Sequence, residues 1–187
     1  MFTTEKRNHC LTAKNEFSGK YTISSYSMAP MLHRMVYAGG AFASILLNEK
    51  PRDIDLFILS SVENDYRCID DYLSVNKWKI NKKISKDNLT ASGYAINEHI
   101  DQVWKCTSGR NNFDYDIIFT DYSHDKPEEV VNNFDYLHCK VWYHSGRLNL
   151  TEKVYNAIMD MKLIPTGVFI RDDRKKKFID RGWKADK

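Results

Sequence analysis

The segment between Tyr37 and Ile58 limits what this chain can fold into more than any other part of its 187 residues. Its pattern predicts, in order, an apolar strand over residues 35–38, a Gly39-Gly40 pair, a helix over residues 41–49 and a strand over residues 53–60. Pro51 ends the helix, because proline removes a backbone donor and clashes with the preceding turn. A strand, turn, helix and strand in close succession are typical of a protein that mixes α and β structure.

The rest of the chain predicts short helices and strands around this unit. Residues 1–20 lack apolar periodicity and predict no regular element, and residues 80–90 predict a polar loop. Ser27 followed by Pro30 predicts a helix entry. Further helices are predicted over residues 65–75, 126–133 and 151–164, followed by a basic stretch at 172–183. Further strands are predicted near residues 90–97, 102–107 and 113–120, and as a hairpin that pairs residues 136–143 with 147–151.

This order of elements predicts an α+β fold with a mixed, largely antiparallel sheet that is flanked by helices. A chain of this length suits one domain and can bury a real core. We divide it into a peripheral N-terminal segment (1–24), a main domain (25–150) and a C-terminal helical, basic extension (151–187).

The C-terminal extension carries most of the positive charge. The whole chain has a net charge of +3, whereas Arg171 to Lys187 contains eight Lys or Arg and four Asp, a local +4. A basic segment beside a nearly neutral body can attract a polyanion, and it can also be a solvated helix face. RNA or tRNA is therefore one candidate partner of this segment.

Cysteine spacing and hydropathy indicate a cytoplasmic protein. Cys10, Cys68, Cys106 and Cys139 are too widely spaced for a CxxC metal knuckle, so we expect free thiols. The polar beginning shows no secretory signal. No apolar run reaches the roughly 20 residues that span a bilayer, so no membrane partner is expected.

Asp53 and Asp55 are candidate ligands for a divalent metal. Alternation along a strand puts both carboxylates on one face, roughly 6.6 Å apart, while Ile54 points to the core. Two carboxylates side by side repel each other unless a positive charge lies between them. Hard oxygen ligands suit Mg²⁺ or Mn²⁺.

Gly39 and Gly40 are candidate phosphate-binding residues. Without side chains, their backbone can approach a phosphate closely, and the following helix offers free N–H donors. Ser44 is a further candidate phosphate contact or a packed serine. Arg52, like Lys50, either neutralises phosphate charge or is simply solvated.

A third carboxylate is expected from a neighbouring strand. In the segment FDYDIIFT, Asp114 and Asp116 lie on one face. We prefer Asp116 because it lies deeper in the apolar run, but either residue can complete a two-metal site. The alternative for both is a polar strand face.

The residues Gly39-Gly40, a gap of twelve residues and then Asp53-Ile54-Asp55-Leu56 resemble the signature of the polymerase β-like nucleotidyltransferase superfamily. The resemblance implies a small mixed sheet flanked by helices. It also implies a reaction that transfers a nucleoside monophosphate from a nucleoside triphosphate to a hydroxyl. Asp53 and Asp55 would then bind metal, together with Asp114 or Asp116.

A second, weaker resemblance covers Asp135-Tyr136-Leu137-His138-Cys139-Lys140-Val141-Trp142-Tyr143. This segment is similar to one in the head domains of CCA-adding enzymes and bacterial poly(A) polymerases, where the Asp helps organise the nucleotide site. That similarity implies a nucleotide-binding role for Asp135. Asn133-Phe134 replaces the family's paired arginines. The layout also resembles small stand-alone members that are often phage-encoded, which would place the chain in a host cytoplasm.

These observations together predict a metal-dependent nucleotidyltransferase that releases pyrophosphate. Its acceptor could be an RNA or tRNA 3′ end, which the basic extension favours, or a small molecule or protein hydroxyl, which the compact size favours. A different alternative is a catalytically silent nucleotide-binding protein on the same fold.

Overall fold

The structure, a computed structural model, describes residues 2–23, 26–89 and 98–185. The helices are α1 (Thr4–Lys20), α2 (Gly40–Leu46), α3 (Glu63–Val75), α4 (Glu129–Asn132), α5 (Glu152–Met159) and α6 (Asp172–Ile179). The strands are β1 (Met35–Ala38), β2 (Asp53–Ile58), β3 (Lys79–Ser85), β4 (Ile100–Thr107), β5 (Asp114–Thr120), β6 (Trp142–His144), β7 (Arg147–Asn149), β8 (Lys162–Leu163) and β9 (Lys184–Ala185). Short 3₁₀ helices cover Tyr26–Arg34, Lys86–Asn88 and Leu137–Cys139.

Seven strands form one sheet in the order β3-β4-β5-β2-β1-β6-β7. Strands β2 and β5 run parallel, and every other neighbouring pair in this sheet is antiparallel. Strands β8 and β9 pair separately. The predicted α+β class with a mixed, largely antiparallel sheet is confirmed.

The central unit forms because β2 alternates between two apolar layers. Ile54 and Leu56 face a large cluster that also contains Phe42 of α2. Phe57 faces a smaller cluster on the opposite side of the sheet. The apolar helix α2, which connects β1 to β2, is buried along almost its whole length.

The expectation of no regular element in residues 1–20 is wrong, because residues 4–20 form α1. Thr3 caps this helix by accepting a hydrogen bond from the backbone N–H of Lys6. Only Ala13 and Phe17 are buried, so the helix has too narrow an apolar stripe to show periodicity in the sequence. Phe17 nevertheless packs against Phe42, with ring centroids 4.4 Å apart.

The predicted loop over residues 80–90 is also wrong in its first half, where β3 forms the edge of the sheet. In this strand only Ile84 is fully buried, so the sequence KINKKIS lacks the apolar character of an internal strand. Lysines on an edge strand discourage pairing with other chains. The strand predicted near residues 90–97 lies outside the described residues.

The hairpin predicted for residues 136–143 is shorter than expected. Strands β6 and β7 pair only over residues 142–144 and 147–149. The preceding residues instead form a 3₁₀ turn, because the C-terminal segment competes for their backbone: Leu137 N–H donates to the Ile164 carbonyl. The predicted helical C-terminal extension is present as α5 and α6. No helix in the described ranges is both long and apolar enough to cross a membrane.

His138 lies in this turn and is fully buried among aromatic rings. Its ring centroid is 3.9 Å from that of Trp183 and 4.6 Å from that of Phe178. Neither ring nitrogen has a hydrogen-bond partner among the described residues. Burial, followed by the charges of Arg174 and Arg181, lowers the pKa of His138 to about 3.

The free energy of unfolding should therefore fall as the pH drops from about 6.5 toward 3, because the unfolded chain binds a proton that folded His138 rejects. We expect this group to contribute about 2 kcal/mol of lost stability between pH 8 and pH 5. The variant His138→Phe keeps the aromatic packing and should lose less stability over this range. Urea unfolding at both pH values measures the difference, and equal losses in the two proteins would contradict the assignment.

Candidate active site

Two parallel strands bring four carboxylates together. In the register of β2 and β5, Asp53 lies beside Asp114 and Asp55 lies beside Asp116. Alternation puts all four on the face of the sheet that carries the smaller apolar cluster. We call these four residues the acid ladder.

The acid ladder is electrostatically strained at Asp55. Burial and, after it, the negative charges of Asp53 and Asp116 raise the pKa of the Asp55 carboxyl to about 8. Arg174 and Lys105 act in the opposite direction. A cation at this position would relieve the repulsion that keeps a proton on Asp55.

Residues of β3 and β4 hold the two carboxylates of β5. Lys105 Nζ lies 2.9 Å from Asp116 Oδ2, and the Asp116 side chain is only 14% exposed. Thr107 donates to Asp114 over 2.7 Å and itself accepts from Asn81 over 2.8 Å. The sequence offers one signal for these three supports, a lone lysine between Trp104 and Cys106 of β4.

Two features require glycine at position 39: its backbone conformation and the nearness of Asp55. Its φ of 99° and ψ of −160° lie in a region that only glycine adopts readily. A Cβ built at this position would lie 2.9 Å from Asp55 Oδ2. By contrast, a Cβ at Gly40 would meet nothing within 4 Å. The structure therefore brings the glycine pair and the acid ladder together.

The remaining predicted phosphate contacts lie in different surroundings. Arg52 is exposed and directly precedes Asp53. Ser44 is buried, and its hydroxyl accepts a hydrogen bond from Arg181 over 3.3 Å. The structure therefore keeps Arg52 at the acid ladder but does not bring the Ser44 hydroxyl there.

Asp135 is buried and bound on both oxygens by the guanidinium of Arg174. The Asp135 side chain is 10% exposed. The charge of Arg174 also lowers the pKa of Asp55, so this pair links α6 to the acid ladder. Sequence reasoning treated Arg174 only as part of a basic segment. The nucleotide-binding role of Asp135 stays a prediction.

Much of the basic extension has internal partners. The paired basic residues and their partners are Arg171 with Asp173, Arg174 with Asp135, Lys176 with Asp180, and Arg181 with Ser44. Phe178 and Trp183 of the same segment are buried in the large apolar cluster. This part of the chain therefore serves the fold as well as carrying charge.

Trp142 lies on the acid-ladder face, as do the other aromatic side chains of the smaller cluster, Phe57, Tyr122 and Phe134. Ala38 pairs with Asp55 on one side and with Trp142 on the other. The Trp142 ring is partly buried against the smaller cluster. Tyr37 and Tyr143, which precede Ala38 and follow Trp142 in the chain, face the large cluster. Of these three aromatic residues of β1 and β6, Trp142 is the one on the acid-ladder face.

The donor set of the acid ladder fits a hard divalent cation. Carboxylate oxygens are the ligands that Mg²⁺ and Mn²⁺ prefer. In the ranges that the structure describes, however, no three His, Cys, Asp or Glu side chains converge closely enough to hold a metal as they stand.

Gly39→Ala should destabilise the protein by about 1–3 kcal/mol, because alanine resists this backbone conformation and its Cβ presses on Asp55. Gly40→Ala is the matched control. It adds the same methyl group next door, in open space and at the start of a helix, and should not destabilise. Urea unfolding of both variants measures the contrast. Equal destabilisation would show that position 39 has no special constraint.

Asp135→Asn should destabilise the protein by about 1.5–3 kcal/mol, because it leaves the Arg174 guanidinium without its charged partner. Asp173→Asn removes a similar Arg–Asp pair at an exposed position and should cost much less. Chemical denaturation compares the two. A larger loss for Asp173→Asn would refute the structural role of the Asp135 pair.

Solved structures of CCA-adding enzymes share this fold. The Thermotoga maritima CCA-adding enzyme complexed with tRNA aligns with a TM-score of 0.54 and 13% identity, over 100% of this chain and 40% of that one. A CCA-adding enzyme with ATP gives a TM-score of 0.57 at 12% identity, and one with CTP gives 0.56 at 14% identity. These cover 100% of this chain and 41% and 40% of theirs. The chain thus spans about two fifths of the length of these structures.

No curated protein matches the chain. The model of the Gabija anti-defense 2 family matches residues 11–160, which is most of the chain. The acid ladder, Gly39 and the whole sheet lie inside this range. The protein is therefore a member of the Gabija anti-defense 2 family, with the fold of a nucleotidyltransferase domain.

Proposed function

We propose that this protein transfers a nucleoside monophosphate from a nucleoside triphosphate to a hydroxyl, with Mg²⁺ or Mn²⁺ as cofactor. The observation that carries the proposal is the acid ladder held in register beside Gly39. Like charges at close range destabilise a fold, and clusters of them are common at sites that bind a cation or a substrate. The likeness in fold to CCA-adding enzymes that are described with ATP and CTP supports a nucleotide as substrate.

The nucleotide would lie across β1 between the acid ladder and Trp142. Its phosphates would approach the backbone of Gly39 and Gly40, where no side chain intervenes. Arg52 is exposed beside Asp53 and would neutralise part of the triphosphate charge. The base would stack on Trp142, since aromatic rings stack on any base.

Asp53 and Asp55 would hold the metal, and Asp116 would complete the site. Asp116 is the better third carboxylate, because it lies directly opposite Asp55 in the register of β2 and β5 and its charge raises the pKa of Asp55. Bound metal would supply charge neutralisation at the phosphates and activation of the attacking oxygen.

In the reaction, Asp116 would hold the acceptor hydroxyl and take its proton. The hydroxyl oxygen forms a new bond to the α-phosphorus, and the bond between the α-phosphorus and the bridging oxygen breaks. Pyrophosphate leaves with that oxygen. Phosphoryl transfer of this kind needs mainly positioning and electrostatic stabilisation from the protein.

The family description indicates where this chemistry would act. It names action against a defence system, and covalent nucleotidylation of a component of that system would be one way to disable it. The acceptor would then be an RNA or tRNA end or a protein hydroxyl. The Thermotoga maritima structure with tRNA supports the first of these.

A catalytically silent nucleotide-binding protein is the competing proposal. Its support is specific: Asp116 is bonded to Lys105, and the described carboxylates do not converge on one point. Such a protein would bind a nucleoside triphosphate without needing metal. It would act by binding to a partner and blocking it.

Release of pyrophosphate from each ribonucleoside triphosphate with Mg²⁺ or Mn²⁺ tests the first proposal, with RNA, tRNA and protein acceptors supplied separately. Asp53→Asn/Asp55→Asn should lower the rate more than about 100-fold, since even the outer supports of metal ligands cost 10–100-fold. Asp71→Asn changes an exposed carboxylate on α3 and should retain the rate. Equal rates in all three proteins would assign the activity to a contaminant. Metal-independent nucleotide binding without any transfer would favour the silent protein.

A further inference from the structure

A β-bulge in the edge strand turns two consecutive side chains toward the acid-ladder face. The register of β3 on β4 shifts between Ile80 and Lys82. Ile80 lies opposite Cys106 and packs on the large cluster, on the other face. Asn81 donates to Thr107 on the acid-ladder face, and Lys82 lies opposite Lys105. Bulges commonly re-aim side chains in this way beside active sites.

The bulge places Lys82 at the end of a continuous row across four strands. Lys82 pairs with Lys105, Lys105 with Asp116, and Asp116 with Asp55. Directly opposite residues of neighbouring strands project from the same face. Lys79 lies opposite Thr107, which donates to Asp114, and so joins this face as well. We call Lys79, Lys82 and Lys105 the lysine strip.

Fold stability alone does not account for the lysine strip. Like charges directly opposite each other on a sheet are destabilising, and Lys82 faces Lys105. Lys105 is bonded to Asp116. Among the described residues, no carboxylate pairs with Lys79 or Lys82, and both side chains are exposed.

The neighbouring Lys83 shows what a structural lysine looks like in this strand. It points to the opposite face, where its Nζ lies 3.7 Å from the centroid of the Trp104 ring and 3.2 Å from Asp70. On that face, Lys83 protects the sheet edge and has partners within the protein. Lys79 and Lys82, at the end of the lysine strip on the edge strand, carry the same charge without such partners among the described residues.

The two sides of the acid ladder thus differ in chemistry. Trp142 lies toward β6, beyond Ala38, on the side assigned to the nucleotide. The lysine strip lies toward β3, on the side of Asp116. Strands are spaced about 4.8 Å apart, so Lys82 lies roughly 10 Å from Asp116 across the sheet. An acceptor with its hydroxyl at Asp116 would lay its next groups over the lysine strip.

We propose that the lysine strip binds the phosphate backbone of a polynucleotide acceptor whose terminal hydroxyl reaches Asp116. The position of that hydroxyl rests on the proposed transferase function, whereas the phosphate binding rests on the lysine strip itself. A protein acceptor would offer no phosphates for the exposed ammonium groups of Lys79 and Lys82. A nucleic-acid end would place successive phosphates over them.

The test measures binding of fluorescent single-stranded RNA and DNA oligonucleotides to the full chain by anisotropy, over a series of salt concentrations and without nucleotide or metal. Lys82→Gln should weaken binding about three- to tenfold and lower the salt slope by about 0.7, the loss of one phosphate contact on a single strand. Lys83→Gln is the matched control, one residue away on the other face. It should leave both values unchanged.

A third variant addresses the basic extension. Lys175→Gln/Lys177→Gln/Lys184→Gln neutralises three exposed lysines there, whereas truncation would also remove buried Phe178 and Trp183. The proposal predicts little change for this variant. Thermal unfolding of all the variants checks that each is folded.

Weaker binding in Lys82→Gln alone would support the proposal, and the RNA and DNA arms would identify the kind of strand. The proposal would be overturned by no oligonucleotide binding at low salt, by equal effects of Lys82→Gln and Lys83→Gln, or by a loss only in the extension variant. Competition by a mononucleotide as strong as by the oligonucleotide would also overturn it. Strip-dependent binding without any nucleotide transfer would instead refute the proposed function and leave the phosphate site standing.

Discussion

The parallel pairing of β2 with β5 is the constraint on which the rest of this structure depends. It is the only parallel pair in the described seven-stranded sheet, and it sets Asp55 directly beside Asp116. Antiparallel pairing of the same two residue ranges would instead put Asp114 opposite Ile58 and Asp116 opposite Leu56. Lys105 and Arg174 bring positive charge from other elements and offset part of the resulting repulsion. Gly39 then leaves Asp55 the space that a side chain would occupy.

The centre of the fold could be predicted from the sequence because local patterns and burial agree there. Strand β1, helix α2 and strand β2 have strong apolar signals and contribute little but apolar side chains and the acidic pair. Helix α1 and strand β3 could not be predicted, because each buries too few residues for its period to appear. The turn around His138 depends on a backbone contact with Ile164, which no local pattern encodes.

In the candidate site, too, the residues close together in sequence could be predicted and those brought in by the fold could not. Gly39, Asp53 and Asp55 are close in sequence and were identifiable from their spacing. Their supports were not, since Lys105 reaches the site only through strand register and Arg174 only through the packing of α6. Interactions between side chains far apart in sequence require the three-dimensional structure. A prediction from spacing can therefore name a metal-binding motif without naming the charges that balance it.

The ion pair of Arg174 with Asp135 has a consequence for the order in which the site forms. A ribosome makes both strands of the acid ladder before it makes α6, so the carboxylates emerge without one of their two balancing cations. Until α6 packs, Asp55 lacks the charge of Arg174, which lowers its pKa in the complete fold, and the turn around Asp135 lacks the backbone contacts of the C-terminal segment. Charge balance at the site is thus a late event in biosynthesis, and the nascent chain carries an incomplete version of the site until α6 has docked.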